Sequence, residues 1–419
     1  MVTLTPSGGI RRPLRMRSTT VKRVRPAIHC CLIQVQVLLL GQECMIFSGE
    51  PMARNSFLLI LLCVVSFGQD VRADGLGAQS LLQGVHADAA VLPRTCQACH
   101  RGMQMIATGE EQECLSCHGS SFDRDRMIEG GYLRMGLSVS LDNIAYELNK
   151  PYSHPVMRMS GVHRSYEVLP EESQTAPRHA ECVDCHNPHL VDRGEPFLGV
   201  LGKKVGNLMT EIEHEYQLCY KCHSSSANRL GTSKDKSLEF SLSNKSYHPI
   251  EGEGKSTFVV SLIDPYVAKK EREGDVSIIT CGDCHGNNDS TGPQGPHGSE
   301  YRGLLKHRLE FEDGRVESEF AYALCYSCHR RSSILGNESF AYHSLHIVGN
   351  ATARLPGTSC LTCHTPHGST EYPYLIQFNE DIVRANEDGE LKFEAEGSST
   401  FRGSCYLSCH GVEHAPKTY

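Results

Sequence analysis

Two cysteines and a histidine recur along this chain at one fixed spacing. The string C-x-x-C-H occurs seven times, and an eighth string, CYLSCH at Cys405, has one more residue between its cysteines. Two thiols about one helical turn apart can add to the two vinyl groups of a haem, and the histidine that follows can ligate its iron. The sequence therefore predicts about eight covalently attached haems c. The attachment residues are Cys96, Cys99, Cys114, Cys117, Cys182, Cys185, Cys219, Cys222, Cys281, Cys284, Cys325, Cys328, Cys360, Cys363, Cys405 and Cys409. The predicted proximal iron ligands are His100, His118, His186, His223, His285, His329, His364 and His410.

Other uses of paired cysteines do not explain these histidines. A single CxxC is typical of a zinc knuckle or a redox dithiol, and an even number of cysteines in an exported chain is typical of a disulfide framework. The chain has 20 Cys and 22 His in 419 residues, and chance does not place a histidine at the same offset after eight cysteine pairs. Every cysteine after residue 73 belongs to one of the eight strings, so no thiol remains for disulfides or catalysis.

An iron that only carries electrons needs a second axial ligand. Repeated strings favour histidines in Pro-His sequences and in aromatic-rich segments ahead of each pair of motifs, and His343 is an alternative to His346. The first motif has no Pro-His string, so His163, His179, Met103 and Met105 remain open as ligands; a Met ligand would raise the potential of its haem. The candidate distal ligands are His86, His154, His189, His248, His297, His346 and His367.

The segment that starts at Met52 has the layout of a secretory signal, with a short basic start, an apolar stretch and a small-residue exit at Val71 and Ala73. It is too short to cross a bilayer. We expect residues 52–73 to be a signal peptide and the Arg-rich residues 1–51 to be an over-extended gene start. The sequence thus predicts an exported protein, periplasmic or extracellular, in which no transmembrane segment follows the signal.

The charge of the chain limits its partners. The formal net charge is −8, and residues 1–73 carry nine basic and three acidic side chains, so the remainder carries −14. This charge makes nucleic acid an unsuitable partner and favours redox proteins or oxidised terminal electron acceptors. The haem attachment machinery is a further expected partner during maturation.

Repeated segments must position these ligands. The strings TEIEHEYQLCYKCH, ESEFAYALCYSCH and SSTFRGSCYLSCH each run into the second motif of a pair, and each predicts a short helix that presents the ligands. The motif pairs divide the chain into four units, 74–150, 151–245, 246–340 and 341–419, with two haems in each.

The composition leaves little material for a conventional core, because only 39% of residues are apolar and there is no Trp. We predict a mostly irregular fold with short α-helices and little β-structure, in which the haems form the core as in multihaem cytochromes c. A minor strand is expected at residues 256–263, where the apolar run is β-branched and aromatic.

The paired motifs, the strings CHNPH and CHTPHGS, and the second members CYKCH and CYSCH resemble the doubled-CXXCH multihaem cytochromes. This resemblance implies an envelope or extracellular electron carrier rather than an enzyme. Two alternatives stay open. One is a multihaem reductase with one open haem iron, which would lie in the first unit, and the other is a homopolymeric filament.

Overall fold

The structure is a computed structural model that describes residues 82–107, 110–134, 141–157, 180–192, 194–203, 209–224, 235–256, 258–267, 279–397 and 401–419. The chain divides into two compact units, Met1–Asp74 and Gly75–Tyr419, and all described residues belong to the second. The predicted gene start and signal peptide, together with His163 and His179, lie outside the described residues. The division into four haem-pair units stays a prediction.

Helices in the described part of the chain are short, and the longest have nine residues. This length suits segments whose role is to present one motif. The α-helices are α1 Glu110–His118, α2 Ser121–Glu129, α3 Ile144–Leu148, α4 Cys182–Cys185, α5 Glu215–His223, α6 Lys236–Glu239, α7 Cys281–Cys284, α8 Ala323–Tyr326, α9 Arg331–Leu335 and α10 His343–Val348. Single 3₁₀ turns cover Gly84–Ala87, Thr95–Ala98, Pro155–Met157 and Cys360–Thr362.

Several attachment motifs close one helical turn with the same hydrogen bond. The backbone N–H of the motif histidine donates to the carbonyl of the first cysteine at 2.8–2.9 Å. In the strings CVDCH and CGDCH, Asp184 and Asp283 also accept the backbone N–H three residues earlier, each at 2.8 Å. The turn therefore brings the two thiols and the imidazole of one motif together. The closing bond is made by His186, His285, His329 and His364.

The helices predicted ahead of second motifs are found in two strings of three. The first string forms α5 and the second forms α8. The prediction is wrong for SSTFRGSCYLSCH, which forms a strand over Gly403–Cys409. The extra residue in CYLSCH breaks the one-turn spacing of the cysteines, and the segment instead pairs with strands on both sides.

Most described strands are two or three residues long, and two of the short ladders join segments that are distant in sequence. Tyr152–Ser153 pairs with Gly298–Ser299, and Ser246–Tyr247 pairs with Gly368–Ser369, both antiparallel. Each ladder connects the residues just before a histidine with those just after a Pro-His string. The strands are β1 His100–Arg101, β2 Gln104–Met105, β3 Tyr152–Ser153, β4 Leu201–Lys203, β5 Met209–Glu211, β6 Ser246–Tyr247, β7 Gly298–Ser299, β8 Gly368–Ser369, β9 Val383–Arg384, β10 Lys392–Ala395, β11 Gly403–Cys409 and β12 Val412–Thr418.

The strand predicted at residues 256–263 is not formed by the described part of that segment. Residues 258–263 make turns, with one isolated bridge between Leu262 and His329. The apolar run thus contacts a motif histidine instead of joining a sheet.

Buried apolar side chains form small clusters that are bordered by motif cysteines. One cluster packs against Cys284, Cys325 and Cys360, and a second packs against Cys281. A third cluster, around Leu92, packs against Cys99 of the first motif and Cys117 of the second. These six attachment cysteines therefore lie at the edges of the apolar clusters. The members of the largest cluster are Leu305, Leu309, Ala321, Tyr322, Leu324 and Ile347.

A search of the described residues finds no helix with the length and apolar character needed to cross a membrane.

The contact of β7 with α3 generates a stability prediction. A Cβ at Gly298 would lie 1.8 Å from the carbonyl oxygen of Glu147. We expect Gly298→Ala to lower the free energy of unfolding by about 1–3 kcal/mol, because overpacking forces the backbone apart. Chemical denaturation of the holoprotein measures this. Gly254→Ala, where the nearest atom is 3.8 Å away, is the control, and equal stability of the two variants would contradict the prediction.

Candidate functional site

Seven motif histidines each lie opposite a second histidine. The centres of the two rings are 6.0–6.5 Å apart in every case. An eighth pair, His346 with His414, has its ring centres 6.4 Å apart and contains no motif histidine. The seven motif pairs are His100 with His189, His118 with His86, His186 with His297, His223 with His154, His285 with His367, His329 with His248, and His364 with His343.

This separation fits two axial ligands of one metal ion. An imidazole nitrogen binds a metal at about 2.0 Å and the ring centre lies roughly 1.2 Å behind it, so two rings on opposite sides have centres about 6.4 Å apart. Ordinary aromatic contacts also reach this distance, as His186 and Phe197 do at 6.4 Å, so the distinguishing feature is that a motif histidine recurs in seven such imidazole pairs. Among the described residues no cluster of three or more His, Cys, Asp and Glu could hold a metal ion, so each pair lacks the additional protein ligands of a zinc site. The donor set therefore suits a haem.

Six of the seven predicted distal ligands lie opposite a motif histidine, and the exception is His346. His343, the alternative to His346, is the residue that faces His364, whereas His346 faces His414. Motif residue His410 faces a carboxylate instead of an imidazole. The structure brings together the predicted residues His86, His154, His189, His248, His297 and His367 with their motif partners.

The histidine that faces the first motif comes from the predicted second haem-pair unit, residues 151–245. His189, from the string CHNPH, lies opposite His100. The alternative ligands in this region are turned outward, since Met103 is 99% exposed and Met105 is 38% exposed. The sequence analysis missed His414, and its one signal was its position four residues after the motif histidine His410.

The prolines of the Pro-His strings orient a different set of histidines. Nδ1 of His86 lies 2.8 Å from the carbonyl of Pro188, and Nδ1 of His154 lies 2.7 Å from that of Pro296. His248 makes the same contact with Pro366. A contact at Nδ1 fixes the ring and leaves Nε2 free to bind a metal.

Several other paired histidines are held in the same way. On the motif side, Nδ1 of His186, His285 and His364 lies 2.8–3.2 Å from a backbone carbonyl, and Nδ1 of His329 lies 2.9 Å from the Ser261 hydroxyl. Backbone carbonyls accept hydrogen bonds, so His186, His285 and His364 carry their proton on Nδ1, whereas the Ser261 hydroxyl can donate to or accept from His329. Nε2 is then the metal-binding nitrogen.

One paired histidine contacts a carboxylate. Nδ1 of His367 lies 2.6 Å from Oε2 of Glu239, which also binds Lys236. Although burial raises the pKa of Glu239, its hydrogen bonds with His367 and Lys236 lower that pKa to about 2. The carboxylate is therefore charged at neutral pH.

Burial keeps several of the paired imidazoles neutral. It lowers the pKa of His118 to about 4, with nearby His86 and His186 adding to the effect. A neutral ring is the form that binds a metal. These histidines therefore do not have to lose a proton to bind a metal at neutral pH. Burial has the same effect on His297 and His329, whose pKa falls to about 4, and on His343, whose pKa falls to about 3.

Motifs that follow one another in sequence are also neighbours in space. Between the third and fourth motifs, the ammonium of Lys221 donates to the carbonyl of Asp184 at 2.6 Å. Between the fourth and fifth, the thiols of Cys219 and Cys281 are in hydrogen-bonding contact. The last turn of one motif thus touches the first turn of the next.

The same holds toward the C-terminus. The thiols of Cys325 and Cys360, from the sixth and seventh motifs, are in hydrogen-bonding contact. Burial raises the pKa of Cys363 to about 12, and Cys405 and Cys409 of the eighth string add to the increase. The eighth string therefore lies beside the seventh motif.

Two further pairs of successive motifs lie close together, as the effect of one motif's cysteine on the pKa of the other's indicates. Burial raises the pKa of Cys99 to about 11, and Glu113 and then Cys117 of the second motif add to it. Burial likewise raises the pKa of Cys284 to about 12, with Cys328 of the sixth motif adding to it. His118 of the second motif also lies near His186 of the third. Each of the eight attachment strings therefore lies close to the next one in chain order.

Comparison with known proteins gives one family match. Residues 179–373 match the model of the outer membrane cytochrome MtrC/MtrF-like family, domains II/IV. No curated protein and no solved structure matches the chain. The matched stretch contains the five motifs from Cys182 to His364. The match supports a multihaem c-type cytochrome that is exported to the cell envelope or the extracellular space.

Proposed function

We propose that this chain binds about eight haems c and transfers electrons along them, in respiration that extends to the cell envelope or beyond it. The observation that carries the proposal is the common ring separation of 6.0–6.5 Å in the imidazole pairs. The cysteines of each string would hold the haem covalently, and the paired imidazoles would occupy both axial positions. The match to outer membrane cytochromes supports the setting.

A bound haem supplies one-electron chemistry at its iron. The polypeptide determines how the ligands and sites are arranged. The Nδ1 contacts orient the ligands, burial keeps several of the imidazoles neutral, and contacts between successive motifs keep neighbouring sites close. Because all eight strings are neighbours in chain order, we infer a relay that runs from the first motif to the eighth. The negative charge of the chain favours redox proteins or oxidised acceptors with a positive surface.

A reductase would require an iron with an open position. The first unit is the place where the sequence leaves room for one. In the structure His189 lies opposite His100 and its ring centre is 6.0 Å away, as in the other pairs. This geometry supports a carrier over an enzyme at the first site.

Spectroscopy of the purified, oxidised holoprotein tests the proposal. We expect about eight haems by pyridine haemochrome, all low-spin in low-temperature EPR. In His189→Ala we expect about one haem in eight to become high-spin and to bind carbon monoxide when reduced, because one axial ligand is lost. His307→Ala is the control, since the His307 ring faces no second histidine among the described residues. A high-spin haem in the parent protein would favour the reductase.

The contact between Glu239 and His367 generates a second prediction. A charged carboxylate at Nδ1 increases the electron donation of an imidazole ligand. Glu239→Gln is expected to raise the potential of one haem by roughly 40 mV, which corresponds to about 1 kcal/mol for a one-electron couple.

Spectroelectrochemical titration measures this change. Glu312→Gln is the matched control, because the side chains of Glu312 and its ion-pair partner Arg315 are exposed. The interpretation fails if both variants leave the potentials unchanged or shift them equally.

A further inference from the structure

The eighth attachment string differs from the other seven in its local structure. Cys405 and Cys409 lie on β11, and His410 begins the two-residue turn to β12. His410 and Gly411 have φ values of 50° and 75°, as the central residues of a type I′ hairpin turn have. The hairpin therefore fixes the direction of the His410 side chain.

His410 contacts a carboxylate through the nitrogen that would bind iron. Its Nε2 lies 3.1 Å from Oδ2 of Asp313. The other carboxylate oxygen of Asp313 accepts the backbone N–H of Ser359 at 2.7 Å and the hydroxyl of Thr362 at 2.5 Å. Asp313 is thus anchored to the turn that carries the seventh motif, and it holds His410 there.

A separate imidazole pair lies close to the eighth string. The ring centres of His346 and His414 are 6.4 Å apart, within the range of the seven motif pairs. Nδ1 of His346 donates to the carbonyl of Tyr342 at 2.8 Å, which leaves Nε2 free. Nδ1 of His414 is buried and has no hydrogen-bond partner.

The strand register places His414 on the same face as Cys409. Leu407 is opposite His414 and Cys409 is opposite Val412 in the β11–β12 ladder. Cross-strand partners share a face, and so do residues two apart along a strand. Cys409, Leu407 and His414 therefore point to one side of the hairpin.

Aromatic contacts connect the other member of the pair to Cys405. The Phe340 ring centre lies 5.6 Å from that of His346 and 4.5 Å from that of Tyr419. Burial raises the pKa of Tyr419, and nearby Cys405 adds to the increase. His346 and Cys405 thus border the same aromatic cluster.

We propose that the haem bound at Cys405 and Cys409 has His346 and His414 as its axial iron ligands, and that His410 is not a ligand. The inference rests on the proposed function for the presence of the haem and adds its ligand set. It accounts for eight attachment strings, eight imidazole pairs and one motif histidine that is left outside the pairs.

Variants of the full, matured holoprotein test this. In His414→Gly we expect eight haems to remain attached, about one haem in eight to become high-spin in EPR, and about one equivalent of carbon monoxide to bind after reduction. Added imidazole should restore the low-spin signal, since it can occupy the space of the lost ring. A residue with a purely structural role would not show this rescue. His346→Gly should behave in the same way.

Asp313→Asn tests the contact that holds His410, and it should leave all haems low-spin. His307→Ala is the control, because the His307 ring faces no second histidine among the described residues. If His414→Gly keeps every haem low-spin, the proposal is wrong, whatever the haem content of a His410 variant. If His410→Gln keeps eight haems but makes one high-spin, the proposal is also wrong. A parent protein with fewer than eight haems would instead contradict the proposed function.

Discussion

The contact between a histidine Nδ1 and the carbonyl of a proline is the interaction on which this arrangement depends. It joins His86 to Pro188, His154 to Pro296 and His248 to Pro366, residues that are 102 to 142 positions apart. The histidine after each proline faces a different motif. One two-residue string therefore orients the ligand of one site and supplies the ligand of another. The short ladders β3–β7 and β6–β8 hold the participating segments in register.

This contact interlocks the repeats along the chain. The Pro-His string after the third motif completes sites of the first pair, the string after the fifth completes the second pair, and the string after the seventh completes the third pair. In the predicted fourth unit, the imidazole pairs are formed with His343, His346 and His414 rather than with the histidine of a Pro-His string. The β10–β12 sheet lies in the same stretch of the chain.

The attachment strings and most ligand candidates can be predicted from the sequence alone, because a thiol spacing and a repeated string are local patterns. It could not assign partners. Nothing local indicates that His189 faces His100 across a unit boundary, or that His343 and His346, one helical turn apart, face different histidines. Helix prediction worked for TEIEHEYQLCYKCH, where the motif spacing agrees with a helical turn. It failed for SSTFRGSCYLSCH, since the inserted residue and the pairing of β11 with β10 and β12 override a pattern shared with the other strings.

In the part of the chain that the structure describes, two carboxylates contact histidines, and the nitrogen that each one contacts determines its effect. Glu239 binds Nδ1 of His367, so the metal-binding nitrogen stays free and the negative charge increases the electron donation of the ring. Nε2 of His410 donates to Asp313, so it carries a proton there and its lone pair is not available to a metal. Both carboxylates are fixed by further contacts, Glu239 by Lys236 and Asp313 by Ser359. A carboxylate beside a motif histidine therefore does not by itself indicate a tuned ligand, because only the ring nitrogen that it occupies separates a tuned ligand from an excluded one.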